Sequence, residues 1–469
     1  ELYTHIVSGR KNKYRDAYLK ANGDAFRSFA SEIRKAVDEV DSKIRIGACA
    51  CMTSWDIDGT NAKELAEILA GDTKPFVRLI GAPYWAVNKS WGNSLQDVIE
   101  LERMESSWTK DDDIEVLAEG DAYPRPRTLC PASYLEGFDT AIRASGCTDG
   151  ILKYGIDYHS NADYETGYAK FHERNREIYK GIDEMFGNKT CCGVRVYESM
   201  CKLSDMVMPT AVNQTVNTQG LFFSKAARTL AYNSIPTVYE GEGVCGIVFD
   251  ENARNIPPDA IKNGLIIDIA AAEILTERGI DVGVEHFGKE ILCGDTPGGG
   301  VYERFVNNNN HILTDHIPIY DIKLKSNAEV LSDTETSAGV IPMSYRYENA
   351  NGNRFLVLNV NTRTNCDNVL KHYARSRQYS ENIPWLSGKK LPAYSYGNPA
   401  MYIMCKENKT SMAVGLWNFF ADTAIEPTVE LDNEYSEIRF LNCDGELRGN
   451  KVYLNDIPAF GFAAFEVLR

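Results

Sequence analysis

The chain of 469 residues is longer than one usual domain and predicts two to four. Hydrophobic residues make up 43% and charged residues 25%, an ordinary globular composition with no apolar run of about eighteen residues to span a bilayer. A net charge of −16 without a Lys/Arg-rich stripe argues against a phosphate backbone as partner and for a neutral ligand.

In chain order, a helical period covers Tyr14 to Val40, with Phe26, Phe29, Ile33 and Val37 on one face. Lys43 to Cys51 reads as a short apolar strand, and the loop after it carries Trp55, Asp56 and Asp58. Asn61 to Ala70 is the next helix, with Asn61 as its cap and Gly71 as its stop. The unit then repeats. Phe76 to Gly81 is a strand, the loop from Ala82 to Trp91 holds Tyr84, Trp85, Asn88, Lys89 and Trp91, and Leu95 to Trp108 is helical. The third strand, Ile114 to Glu119, ends on a carboxylate and runs into Asp121, Tyr123, Arg125 and Arg127, followed by a helix over Tyr134 to Ala144. A fourth strand, Asp149 to Tyr154, includes Lys153 and opens into Asp157, Tyr158 and His159 before a long helix over Tyr164 to Phe186.

Four strand and helix units, each with polar and aromatic residues after the strand, fit the C-terminal half of a (β/α)8 TIM barrel spanning residues 1–188. A closed barrel takes eight strands, so the opening Glu1 reads as a cut within a longer protein. From residue 189 to about 290, short apolar strands alternate with helices in the manner of a flavodoxin-like α/β domain. From about Leu292 to the end, helices vanish from the pattern and period-two strands such as Arg354 to Val360, Ser411 to Trp417 and Gly461 to Val467 predict an all-β, sandwich-like domain over 291–469. The tract Asn307 to Asn310 and the mixed connector Asn365 to Leu391 suggest no chemistry.

The twelve cysteines have neither metal nor disulfide spacing, so reduced thiols and a cytoplasmic setting are expected, each Cys serving as a small buried hydrophobe. Cys245 lacks the elbow spacing of a nucleophile, and Gly298 to Gly300 is not followed by the Lys-Ser/Thr of a phosphate loop. The seven His are isolated, so no metal site and no cofactor are expected. In a parallel barrel the working side chains sit where the strands end, which makes Glu119 the candidate catalytic carboxylate; its plain alternative is a solvated strand-end Glu. Trp55, Tyr84, Trp85, Trp91, Tyr123, Tyr154 and Tyr158 offer π surfaces for the C–H faces of sugar rings, with core filling as the rival role. Asp56, Asp121, Arg125, Lys153 and Asp157 complete the candidate substrate-binding set.

This layout resembles that of clan A glycoside hydrolases of the β-galactosidase type, family 42 in particular. The resemblance covers most of the chain in architecture and rests on a few short motifs. It implies that Ile114 to Glu119 is barrel strand 7, that Glu119 is the nucleophile of a retaining β-glycosidase, and that trimers form through the flavodoxin-like domain. The acid/base Glu that ends strand 4 in the family has no counterpart in the opening residues, and is expected upstream of Glu1. Asp56 and Asp58 are the in-chain fallback, with an inverting outcome; they serve equally well as helix caps. The substrate is a β-galactoside or another β-linked sugar such as a mannoside or glucuronide. The contrasting reading is a non-catalytic carbohydrate-binding or scaffold protein.

Overall fold

The computed structural model describes residues 5–6, 8–87, 94–111, 113–122, 129–155, 167–200, 202–208, 223–293, 302–306, 311–314, 316–364, 366–395, 397 and 400–469. The chain divides into two units, Glu1–Gly187 with Ser199–Phe223, and Asn188–Glu198 with Ser224–Arg469.

In the first unit the strands β1 (Ala48–Cys49), β2 (Phe76–Arg78), β3 (Glu115–Gly120) and β4 (Gly150–Lys153) form one open parallel sheet in sequential order. The helices α1 (Lys13–Asp41), α2 (Ala62–Ala70), α3 (Leu95–Thr109), α4 (Ala132–Ser145), α5 (Gly167–Arg174) and α6 (Arg176–Phe186) alternate with them. Asn61 caps α2 as its position suggests, accepting the Glu64 N–H at 2.8 Å. Val77, Val116 and Ala118 are fully buried on one face of the sheet. On the other, Leu152 is 48% exposed, and Cys49 is exposed as well. A parallel sheet is usually covered on both faces, so this one is unusual in leaving one side open. The four alternating units match the expectation, and the described residues contain no closed barrel.

The face of α1 that packs is not the apolar stripe of the sequence. Phe26 and Phe29 are exposed, while Arg15, Leu19, Gly23, Ala30 and Arg34 are buried. Two features override the periodicity. Arg15 donates to the carbonyls of Ile6, Ser8, Gly9, Leu203 and Met206, and Arg34 to those of Ile44 and Leu69, so both cations are anchors and not surface charges. Gly23 meets the backbone of Gly59 so closely that a Cβ there would lie 2.2 Å from the Gly59 carbonyl oxygen. Gly23→Ala is therefore expected to destabilise the unit by about 1–3 kcal/mol, read from denaturant unfolding; an unchanged midpoint would show that α1 slides freely.

In the second unit, β6 (Val194–Val196), β7 (Thr237–Val238), β8 (Gly246–Val248) and β9 (Leu265–Asp268) are parallel, as a flavodoxin-like pattern requires. The sheet does not end there. β16 (Arg354–Leu358) joins β9 in parallel, and β15 (Gly339–Glu348), β14 (Glu329–Thr336), β11 (Tyr302–Phe305) and β12 (His311–Leu313) extend it antiparallel to nine strands. The boundary drawn at 290 thus runs through one sheet, because the apolar run Phe355 to Leu358 is fully buried beside β9. β10 (Val284–Leu292) and β13 (Pro318–Leu324) form a separate pair.

Towards the C-terminus, a four-stranded sheet built from β17 (Ala393–Tyr394), β20 (Thr428–Leu431), β23 (Lys451–Leu454) and β22 (Gly445–Arg448) shares a core with a five-stranded one. The latter runs β21 (Glu437–Leu441), β24 (Phe462–Leu468), β19 (Ser411–Asn418), β18 (Met401–Glu407) and β5 (Thr190–Cys192), so a strand from before residue 193 completes the β sandwich. Helices do not vanish after Leu292. Tyr373–Ser387 is a fifteen-residue helix inside the mixed connector, capped by the His372 ring, which accepts the Ala374 N–H at 3.1 Å. Its many polar residues hide the period: Arg375, Ser376, Gln378 and Asn382 are all buried.

Candidate active site

Glu119 is the last residue but one of β3 and lies on the same side of the sheet as Arg78 of β2, since side chains alternate and the register pairs Arg78 with Leu117. The carboxylate is 9% exposed. It forms an ion pair with the Arg78 guanidinium and accepts the Gly81 N–H at 3.3 Å. Gly81 turns the chain away after β2 with φ +147, and a Cβ there would press on Leu101. Burial and the nearby Asp121 push the Glu119 carboxyl upward, while Arg78 and the Gly81 amide pull it down, with burial the largest influence.

Behind the strand end stands α3, buried along almost its whole length. Its Glu102 accepts the Glu119 N–H at 3.0 Å, and its Glu105 accepts the Trp55 indole N–H at 2.7 Å. Neither carboxyl has any exposure. Trp55 is therefore a buried anchor, packed edge-on to Trp108 at 5.6 Å, and not a rim residue for sugar stacking. Core filling wins for Trp55 because its single donor finds a carboxyl inside.

The other candidate residues divide three ways. Tyr84 lies close enough to Glu119, Asp121 and Arg78 for all three to act on its hydroxyl, which burial holds above its ordinary range. Trp85 is buried, and Asp121 accepts the Ala122 N–H at 2.6 Å. Asp56, in the left-handed region at φ +79, accepts the Ser204 N–H and hydroxyl at 2.9 and 3.0 Å, so it caps a local turn of helix and its carboxyl is spoken for. Lys153 points into the helix layer, where its ammonium meets Glu136 at 2.5 Å, Asp139 at 2.7 Å, the Tyr179 hydroxyl at 3.0 Å and His172 at 3.2 Å. It joins β4 to α4, α5 and α6 and is not brought to Glu119. Trp91, Tyr123, Arg125 and Asp157, with Asn88, Lys89, Arg127, Tyr158 and His159, lie outside the described residues. Arg78, Gly81, Glu102 and Glu105 are the site residues that sequence reading missed. What the sequence shows of them is one Arg within the apolar strand Phe76 to Gly81 and two Glu on the apolar face of a helix, a pattern that does not say what these side chains meet.

Among the described residues no group of three or more His, Cys, Asp or Glu is arranged to hold a metal ion. None of the eleven described cysteines forms a disulfide, and Cys245 is fully buried with its thiol pushed well up by burial, a poor setting for a nucleophile. No described helix is long and apolar enough to cross a membrane.

No family model and no curated protein sequence matches the chain. Solved structures do match in fold. A β-galactosidase from Bacillus circulans sp. alkalophilus aligns with a TM-score of 0.51 at 12% identity, over 91% of this chain and 70% of that one. The α-L-fucosidase isoenzyme 2 of Paenibacillus thiaminolyticus aligns with a TM-score of 0.52 at 10% identity, over 95% and 72%. A catalytic mutant of a GH42 β-galactosidase from G. stearothermophilus gives 0.50 at 11% identity, over 84% of this chain. The chain spans about 60% of that enzyme's length. At such identities the likeness concerns the fold.

Proposed function

We propose that this chain is a large part of a retaining β-glycosidase acting on β-galactosides or related β-linked sugars, with Glu119 as the nucleophile. The carrying observation is a nearly buried carboxylate at the end of the third of four parallel strands, oriented by Arg78 and a backbone amide. Such a pair keeps a carboxylate ionised and fixed in direction, as attack on an anomeric carbon demands. The likeness in fold to two β-galactosidases and a fucosidase supports the reading. So does the open face of the β1–β4 sheet, which suits a barrel whose other strands, with the acid/base carboxyl about 5–5.5 Å from the nucleophile, come from elsewhere. The residues before 188 act as the half barrel, the parallel strands of the second unit as a trimer-forming domain, and the free thiols suit a cytoplasmic setting.

The test is a panel of aryl glycosides followed by labelling with an activated 2-fluoro glycoside, whose glycosyl–enzyme intermediate forms faster than it breaks down. A label on the peptide carrying Glu119 is the expected result; turnover with a label elsewhere removes Glu119 from the mechanism. Native mass of the intact protein tests the trimer. Arg78→Met should raise the pKa on the acidic limb of the kcat/KM profile by about 1–3 units, because the cation that favours the ionised carboxylate is gone. An unmoved limb would mean that Arg78 does not act on the titrating group.

A further inference from the structure

Between β2 and β3 the regular ladder ends at the Leu79 N–H, which bonds the Leu117 carbonyl at 2.8 Å. Beyond this bond the Glu119 N–H turns to α3 and bonds Glu102 at 3.0 Å, while Glu105, one helical turn on, takes the Trp55 indole N–H at 2.7 Å. The Glu102 carboxyl thus stands in for a strand carbonyl. The remaining oxygen of each, Oε2 of Glu102 and Oε2 of Glu105, is buried and has no hydrogen-bond partner among the described residues.

Charge decides what these carboxyls are. Among the described residues Glu102, Glu105 and Glu119 face one cation, Arg78, whose guanidinium is paired with Glu119. The described neighbours on other elements do not help: Asp121 after β3 is another acid, and Tyr84 after β2 and the Trp55 indole after β1 are neutral. On α3 itself Arg103 is committed to Glu100 at 2.6 Å, and Asp97 caps the helix at the Ser94 N–H. Among the described residues, three ionised carboxyls against this one guanidinium would leave two uncompensated charges, those of the wholly buried Glu102 and Glu105, a cost far above that of binding two protons.

We infer that Glu102 and Glu105 stand protonated behind the strand end and act as positioning residues for Glu119: Glu102 supplies a neutral acceptor to the Glu119 amide, Glu105 one to the Trp55 indole that packs behind it, and the Arg78 charge is left to Glu119. Burial, and for Glu105 its neighbour Glu102, raise both carboxyls well above their usual range, in keeping with this arrangement. The protonation is independent of the proposed reaction, whereas the positioning rests on the glycosidase reading.

A carboxyl that is raised by folding contributes its full stability below the unfolded carboxyl range, near pH 4.3, and loses it as pH rises toward the folded value. On the whole chain, infrared difference spectra at pH 7.5 between wild type and the double variant Glu102→Gln/Glu105→Gln should show a protonated-carboxyl C=O band in the wild type alone; no such band overturns the protonation. Thermal melts give a second reading. Glutamine keeps an acceptor oxygen and does not ionise, so the double variant should melt about 3 °C or more above wild type at pH 8 and gain less at pH 4, whereas an equal shift at both pH values would overturn it. For positioning, Glu102→Leu should lower kcat at least tenfold with KM within about threefold, and Glu102→Gln should recover most of that loss with the acidic limb of the pH profile unmoved. A limb displaced by about one unit in Glu102→Gln would show that Glu102 carries a charge. Full activity in Glu102→Leu overturns positioning. If wild type turns over no glycoside, the proposed function fails, while the infrared band still decides the protonation.

Discussion

Glu119→Gln is expected to cut turnover of an activated aryl glycoside by about 10⁴-fold or more while the protein stays folded. The amide keeps the volume of the side chain and one acceptor for the Gly81 N–H, so the strand end has little reason to move. What it loses is nucleophilicity and the charge that faces Arg78. Arg78 is then left partly buried beside a neutral group, and since its Nε lacks a hydrogen-bond partner among the described residues, some stability should be lost as well. The measurement is a pair: kcat on the best glycoside of the panel, and the melting temperature of the same preparation. Turnover within tenfold of wild type would place the nucleophile elsewhere and return Glu119 to the role of a structural strand-end carboxylate.

The second large effect concerns stability, in the second unit. Arg375 and Glu303 form an ion pair at 2.6 Å with both side chains wholly buried. The network is filled out by Gln378, which accepts from Arg375 at 2.5 Å and donates to the Ser344 hydroxyl at 2.8 Å, and by Ser332, which donates to Glu303. It joins the helix Tyr373–Ser387 to β11, β14 and β15. Arg375→Met leaves a dry, unpaired carboxylate at Glu303 and should cost about 3–5 kcal/mol; adding Glu303→Leu, which removes the stranded charge, should return much of it. Denaturant unfolding of the two single variants and the double variant gives the coupling directly. Additive losses would mean that the two side chains act separately.

The order of elements was legible in the sequence because runs such as Val116 to Ala118 and Leu265 to Ile267 are apolar, and caps such as Asn61 are local chemistry. The face of α1 was not, because its contacts are made by Gly23 and two arginines that periodicity counts as surface. The same limit hid the helix Tyr373–Ser387, whose buried side is polar, and the joining of β16 to β9, a pairing between strands some ninety residues apart. At the candidate site, Glu119 was readable from its place after an apolar strand. Arg78, Glu102 and Glu105 were not, since each takes its meaning from what it touches across the sheet or the helix. Lys153 shows the converse: a strand-end position that reads as a pocket while the side chain turns the other way.

The five-stranded sheet closes with a consequence for biosynthesis. β5 comes from Thr190–Cys192, yet the strand it pairs with is Met401–Glu407, and the sheet is completed only when Phe462–Leu468 slots between β21 and β19. At about 5–20 residues per second, a ribosome takes roughly a quarter of a minute to a minute to travel between those ends, and for most of that time, until Met401–Glu407 is made, the early strand waits with its edge unpaired. A nascent chain stalled or truncated shortly before its last strand would thus carry several orphaned edges at once, the kind of surface that holdase chaperones and proteases recognise.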